Sequence, residues 1–171
     1  MRRWAFFGMV MIFLFNGCGY TRKAVLPEGI KTIYVDTVKN IVPVGEVYAY
    51  EPGLEMKITN AIIRRLEKDG NLKVVKQEEA DAILECELTR FEQEGVRFTS
   101  LESVGEYRLF IVVNAKLINA KTKQVIWQEP NFSGDADYFV SGVRSLSREQ
   151  AADQAIDRLA RNMVDRIVED W

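Results

Sequence analysis

The sequence predicts an α+β fold, a two-layer sandwich in which two helices pack on one face of a mixed four- to five-stranded sheet. Three observations carry this reading. Residues 52–69 and 147–170 repeat apolar side chains at helical spacing between helix start and stop signals. Residues 84–88 and 107–117 alternate as half-buried strands do. The elements follow in the order β-α-β-β-β-β-α, and two amphipathic helices need one sheet to cover.

The chain has 171 residues. Its first part reads as a targeting segment rather than as fold. Arg2 and Arg3 precede an apolar run from Trp4 to Phe15. That run is short for a membrane span, which takes about 20 residues, and suits the apolar core of a signal peptide. Gly17 stands directly before Cys18, as a cleavage site that admits small side chains requires. The arrangement resembles a lipobox, although Phe15 and Asn16 occupy positions where Leu and Ala or Ser are commonest. The competing reading is an uncleaved signal anchor with a chance cysteine. The expected organisation is therefore a signal peptide over 1–17, a lipidated Cys18 with a tether over 18–29, and one periplasmic domain over 30–171. A diacylglycerol and an N-acyl chain on Cys18 would hold the protein firmly, since each buried CH₂ adds about 0.8 kcal/mol. Gly19 is not the Asp that resembles an inner-membrane retention signal, so outer-membrane sorting is expected.

Pro27-Glu28-Gly29 is a turn signal, and Ile30, Ile33 and Val35 lie in the first strand. Asn40 to Tyr50, with Pro43 and Gly45, reads as a loop. Pro52 suits the first position of a helix, whose stripe is Leu54, Ile58, Ala61, Ile62 and Leu66 and whose stop is Gly70. Leu72 to Val75 is a short strand. Leu84, Cys86 and Leu88 then alternate with Glu85, Glu87 and Thr89, and the phase falters near Phe91, where a bulge or strand end is expected.

Glu92 to Gly105 is polar and reads as a hairpin connection. Tyr107 to Leu117 alternates through a long strand, and Phe110 and Val112 make its middle apolar on both faces, as in a covered central strand. Val125 to Trp127 begins its hairpin partner. Asn131 to Leu146 reads as a loop or an irregular continuation of that strand. Ser147 and Gln150 form a capping box for the last helix, whose wide stripe includes Ala152, Ala155, Ile156, Leu159, Ala160, Met163, Val164 and Ile167.

Composition limits the chemistry. The formal net charge is −2, and loss of residues 1–17 would take Arg2 and Arg3 and bring it to about −4. Such a chain is a poor general nucleic-acid binder. Histidine is absent, which excludes His triads and His metal sites. Cys86 on an apolar strand face reads as a small buried hydrophobe. Glu85 and Glu87 share a strand face, which suits acid–base work less well than a solvated surface. Asp135 and Asp137 lack the further ligands of a calcium loop. No phosphate-binding glycine loop, nucleophile elbow or zinc spacing occurs, so no enzyme, catalytic residue, metal or cofactor is expected. Two arginines stand out. Arg97 lies among Val96, Phe98 and Leu101, and Arg144 lies near Val143 and Leu146. A cation beside exposed apolar groups suits an amphiphile with an anionic headgroup. The plainer reading of each is an ordinary surface arginine.

Gly17-Cys18-Gly19-Tyr20 with Arg22, the strand Glu106-Tyr107-Arg108-Leu109 through Val113-Asn114-Ala115, and the order of elements ending in a long helix resemble the lipopolysaccharide-assembly lipoproteins, the LptE-like family. The resemblance covers nearly all of the mature chain. It implies a non-catalytic outer-membrane lipoprotein that partners a large β-barrel translocon, plugs its lumen from the periplasmic side and binds lipopolysaccharide on its way to the cell surface. Basic loop residues of the family contact lipopolysaccharide, and Arg97 and Arg144 match those positions here. The alternative expectation is another periplasmic lipoprotein of similar layout, such as a curli-type secretion-channel subunit or a transport-auxiliary lipoprotein.

Overall fold

In the computed structural model, residues 29–43, 52–99, 103–139 and 146–169 are described. The expected signal segment, Cys18, most of the expected tether, Arg144 and the greater part of the loop expected over 40–50 lie outside them. The elements are β1 (Thr32–Val35), β2 (Lys39–Asn40), α1 (Leu54–Asp69), β3 (Lys73–Val74), β4 (Ala82–Phe98), β5 (Val104–Asn119), β6 (Val125–Phe139) and α2 (Arg148–Glu169). The strands form one mixed sheet in the order β3-β1-β4-β5-β6, with β2 also paired to β4. β1 runs parallel to β3 and β4, and β4, β5 and β6 form an antiparallel meander. The expected sandwich is the fold found, with six strands in place of four or five.

Both helices cover one face of this sheet. The expected stripe of α1 is buried throughout, and so is that of α2 from Ala152 to Ile167. They pack on Ile33, Val35, Leu84, Cys86, Leu88, Leu109, Ile111, Val113 and Leu117. The helix ends follow the sequence signals. Gly70 takes φ 79° and its N–H donates to the carbonyl of Leu66 at 3.0 Å. Ser147 N–H donates to Oε1 of Gln150 at 2.9 Å, and Gln150 N–H donates to Oγ of Ser147 at 3.1 Å, which completes the capping box. Pro52 and Gly53 form a turn, so α1 starts at Leu54 rather than at the proline. Gly134 on β6 sits so close to α2 that a Cβ there would collide with the backbone of Ala155 and Leu159. Small residues on both sides thus set how near the last helix can come.

Two polar contacts fix the β1 side. Thr59, buried on α1, accepts the N–H of Val38 at 3.0 Å and donates to the carbonyl of Glu55 at 2.7 Å. This holds the break between β1 and β2 against the helix. Asp81 accepts from the hydroxyl of Thr32 at 2.9 Å and from the N–H groups of Lys31 and Thr32 at 3.2 Å each. These bonds, the Thr32 hydroxyl first, hold its carboxyl below the usual aspartate range.

Three readings of the sequence need correction, and one left open is decided. Residues 92–98 are strand, so the β4–β5 connection is short. The register slips between Leu88 and Arg90, and this bulge returns Phe91 to the core at 2 % exposure. β6 continues as strand to Phe139, the second of the two readings offered for that segment. Lys39–Asn40 pairs with Glu87 and Leu88, and so belongs to the sheet rather than to a loop. Finally, β5 is covered by helices on one face only among the described residues. On the other face Phe110 and Val112 lie among side chains of their flanking strands, including Arg90, Glu92 and Ser133.

Candidate functional site

Burial along β4 changes sharply at Phe91. The guanidinium of Arg148, the first residue of α2, stacks over the Phe91 ring at 5.3 Å. The strand residues after Phe91 therefore run past the start of the helix layer. Exposure rises to 42 % at Val96 and 63 % at Phe98. This distal ribbon, made of the end of β4 and the facing ends of β5 and β6, presents large apolar groups to solvent on a hydrogen-bonded backbone.

Arg97 sits in the ribbon between two register slips, opposite Glu106 of β5. Its Nε lies 3.3 Å from the Glu106 carboxylate, and its guanidinium lies 5.9 Å from the centre of the Phe139 ring. The Arg97 side chain is 70 % exposed while Glu106 is 12 % exposed. The pairing orients the guanidinium and leaves its outer edge facing water, able to make further charge-assisted hydrogen bonds. Arg97 is thus a strand residue with partners on β5 and, one strand further, on β6, not a side chain on a loop. Arg144 and Cys18 lie outside the described residues.

Next to this pair, Arg108 of β5 grips Asp137 of β6 with two hydrogen bonds, 2.6 Å from Nε and 2.9 Å from Nη2. That contact holds the Asp137 carboxyl below its ordinary range and pushes the guanidinium of Arg108 up. On the helix-facing side Tyr107 and Tyr138 stack at 5.6 Å. The ribbon is therefore cross-linked between β5 and β6 on both faces. Sequence reasoning missed Glu106, Arg108, Asp137 and Phe139 as partners. Their only signal was cross-strand register, which depends on bulges that the alternation does not locate.

Three of the other candidate carboxylates, Asp135, Asp137 and Glu85, face cations. Asp135 accepts from Arg158 at 2.9 Å and Asp137 from Arg108, so this pair is neutralised by arginine. Glu85 lies 3.9 Å from Lys116 on the open face of the sheet, where both line a trough of about 370 Å³ with Glu87 and Asn114. No cluster of three or more His, Cys, Asp or Glu able to hold a metal occurs among the described residues. Cys86 packs 3.9 Å from the sulfur of Met163, and burial pushes its thiol up to about 12, so it stays protonated and unreactive. No described helix is long and apolar enough to cross a membrane.

Known structures share this architecture. A protein of Xanthomonas campestris has 16 % identity and a TM-score of 0.57, with 85 % of this chain and 91 % of that one covered. A hypothetical protein of Chlamydia trachomatis has 13 % identity and a TM-score of 0.54, over 81 % of this chain and 95 % of that one. A minor lipoprotein of Acinetobacter baumannii has 10 % identity and a TM-score of 0.50, over 81 % and 92 %. At such identities the likeness is one of fold. No curated protein sequence matches the chain. A family model described as LptE, lipopolysaccharide-assembly, matches residues 30–171.

Proposed function

The chain belongs to the LptE lipopolysaccharide-assembly family, and from that premise we propose that it is a non-catalytic outer-membrane lipoprotein that plugs a β-barrel translocon and binds lipopolysaccharide there. The family match over residues 30–171 carries this reading. In it, Cys18 bears the lipid that fixes the domain to the inner leaflet of the outer membrane, and the tether over 18–29 lets the domain reach the barrel from the periplasmic side. The distal ribbon meets lipopolysaccharide. Val96 and Phe98 offer apolar contact for acyl chains, and the outward edge of Arg97 offers planar donors that match phosphate. Arg144, just before α2, is the second cation proposed for that contact.

The test is affinity purification of the full chain from detergent-solubilised outer membranes. The reading expects one large β-barrel protein, and lipopolysaccharide, to come with it in defined ratio. A ring of copies of the chain without a barrel would overturn it and favour a secretion-channel subunit. For the anchor, Cys18→Ser is expected to abolish labelling by a palmitate analogue, and undiminished label in the variant would sink that part.

A further inference from the structure

The two helices run in the same direction, and the seam between them on the side away from the sheet is built differently at its two ends. At the first end, cation meets anion. Lys57 of α1 lies 3.8 Å from Glu149 and 3.7 Å from Asp153 of α2. Further along, the stripe of α1 continues through Ala61, Arg64 and Lys68, and α2 answers with another cation, Arg161. These residues, with Arg65 and Asp157, line a cleft of about 200 Å³ between the helices. Arg64, Lys68 and Arg161 are exposed, and none forms an ion pair among the described residues. Arg65 is held by Asp165 at 2.7 Å, yet its Nε–H is shielded from solvent and has no acceptor.

Four cations thus converge on one cleft with a single carboxylate in its lining, in a chain whose net charge is negative. Like charges facing each other across a helix seam repel. The first half of the same seam places Glu149 and Asp153 against its cation, so the packing itself does not demand a cation at position 161. Ala61 and Ala160, both buried, keep the space between the long side chains open. Arginines and a lysine around a small concavity suit a group with several charged oxygens, because each oxygen can take a charge-assisted hydrogen bond.

We infer that this cationic half of the α1–α2 seam is a binding site for phosphate groups. It lies about 20 Å along α2 from Arg148 at 1.5 Å per residue, so it is distinct from the distal ribbon and does not depend on the translocon reading. The phosphate can be a free anion or the monoester headgroup of a lipid.

The experiment follows phosphorus NMR titrations of the full chain in a maltoside detergent, with inorganic phosphate in one arm and short-chain phosphatidic acid in the other. Saturable binding in the first arm assigns a free anion, and saturable binding in the second alone assigns a lipid headgroup. Either supports the site if the Arg64→Gln, Lys68→Gln, Arg161→Gln variant binds at least about tenfold more weakly with the circular dichroism spectrum of the wild type. Lys73→Gln, an exposed cation on the edge strand β3, is expected to bind like the wild type. Should the triple variant fail to fold, Arg161→Gln alone decides, with a loss of about threefold or more expected. Saturation in neither arm, or equal binding by the wild type and the folded variant, overturns the inference.

Discussion

The meander of β4, β5 and β6 is one continuous ladder, yet its two ends live in different environments. Under the helices, Leu84, Leu88, Leu109, Ile111 and Val113 are completely buried. Past Phe91 the strands keep their pairing while β4 loses its cover, so that Val96 and Phe98 stand in solvent although Tyr138 of β6 stays buried. Backbone hydrogen bonding is alike at both ends, so it cannot be what separates them. The covered end buries apolar area, which is where net stability comes from. The bare end of β4 gains less from burial and is tied to β5 by Arg97–Glu106, while Arg108–Asp137 and the Tyr107–Tyr138 stack join β5 to β6 beside it. One end is built to fold, and the other is the surface proposed to meet lipopolysaccharide.

The sharpest way to break this comparison is to weaken the covered end. Leu159→Ala removes a fully buried side chain of α2 and is expected to cost about 2–5 kcal/mol in urea melts. A loss like that of a surface variant would mean that α2 does not carry the core. Gly134→Ala presses a methyl group into the backbone of α2, with an expected cost of about 1–3 kcal/mol. A neutral result would show that helix and sheet can part without penalty.

Asp81 sharpens the account on the β1 side. Its folded carboxyl titrates below the unfolded value of about 3.9 because of the bonds from Thr32 and Lys31. Its contribution is therefore present above that value and is lost as the pH falls through the folded one. Asp81→Asn is expected to destabilise by about 1 kcal/mol at pH 7, and the gap to wild type is expected to close in acid. A gap that persists at low pH would assign the loss to packing instead. The smallest effect belongs to the bare end, where Phe98→Ser should change stability by less than about 0.5 kcal/mol, read as an unshifted urea midpoint.

The same division explains what was legible in the sequence. Covered elements announced themselves, because burial imposes periodicity. The stripe Leu54–Leu66, the alternation Leu84–Leu88 and the Ser147–Gln150 box all stand where their patterns put them. Uncovered strand has no such constraint. Residues 92–98, Glu-Gln-Glu-Gly-Val-Arg-Phe, carry charges and a glycine because no helix layer demands apolar side chains there, so they imitate a loop while remaining in the sheet. The bulge at Thr89 also shifts the phase by one residue, and a strict period of two then misplaces the faces from Arg90 to the next slip after Gly95. Arg97 was visible as a cation among apolar neighbours. Its partners Glu106 and Phe139 were not, since each is close only through register. β2 escaped notice because two residues cannot display a period.

The claim that one end of the ladder folds and the other recognises is tested most directly by measuring lipopolysaccharide binding and the urea midpoint together, for the full chain and for Arg97→Asp with Arg144→Asp. The account predicts at least about tenfold weaker binding at low salt, a smaller difference near 1 M salt, where charges are screened within about 3 Å, and a stability change below about 1 kcal/mol. Unchanged lipopolysaccharide binding by a folded double variant would contradict it.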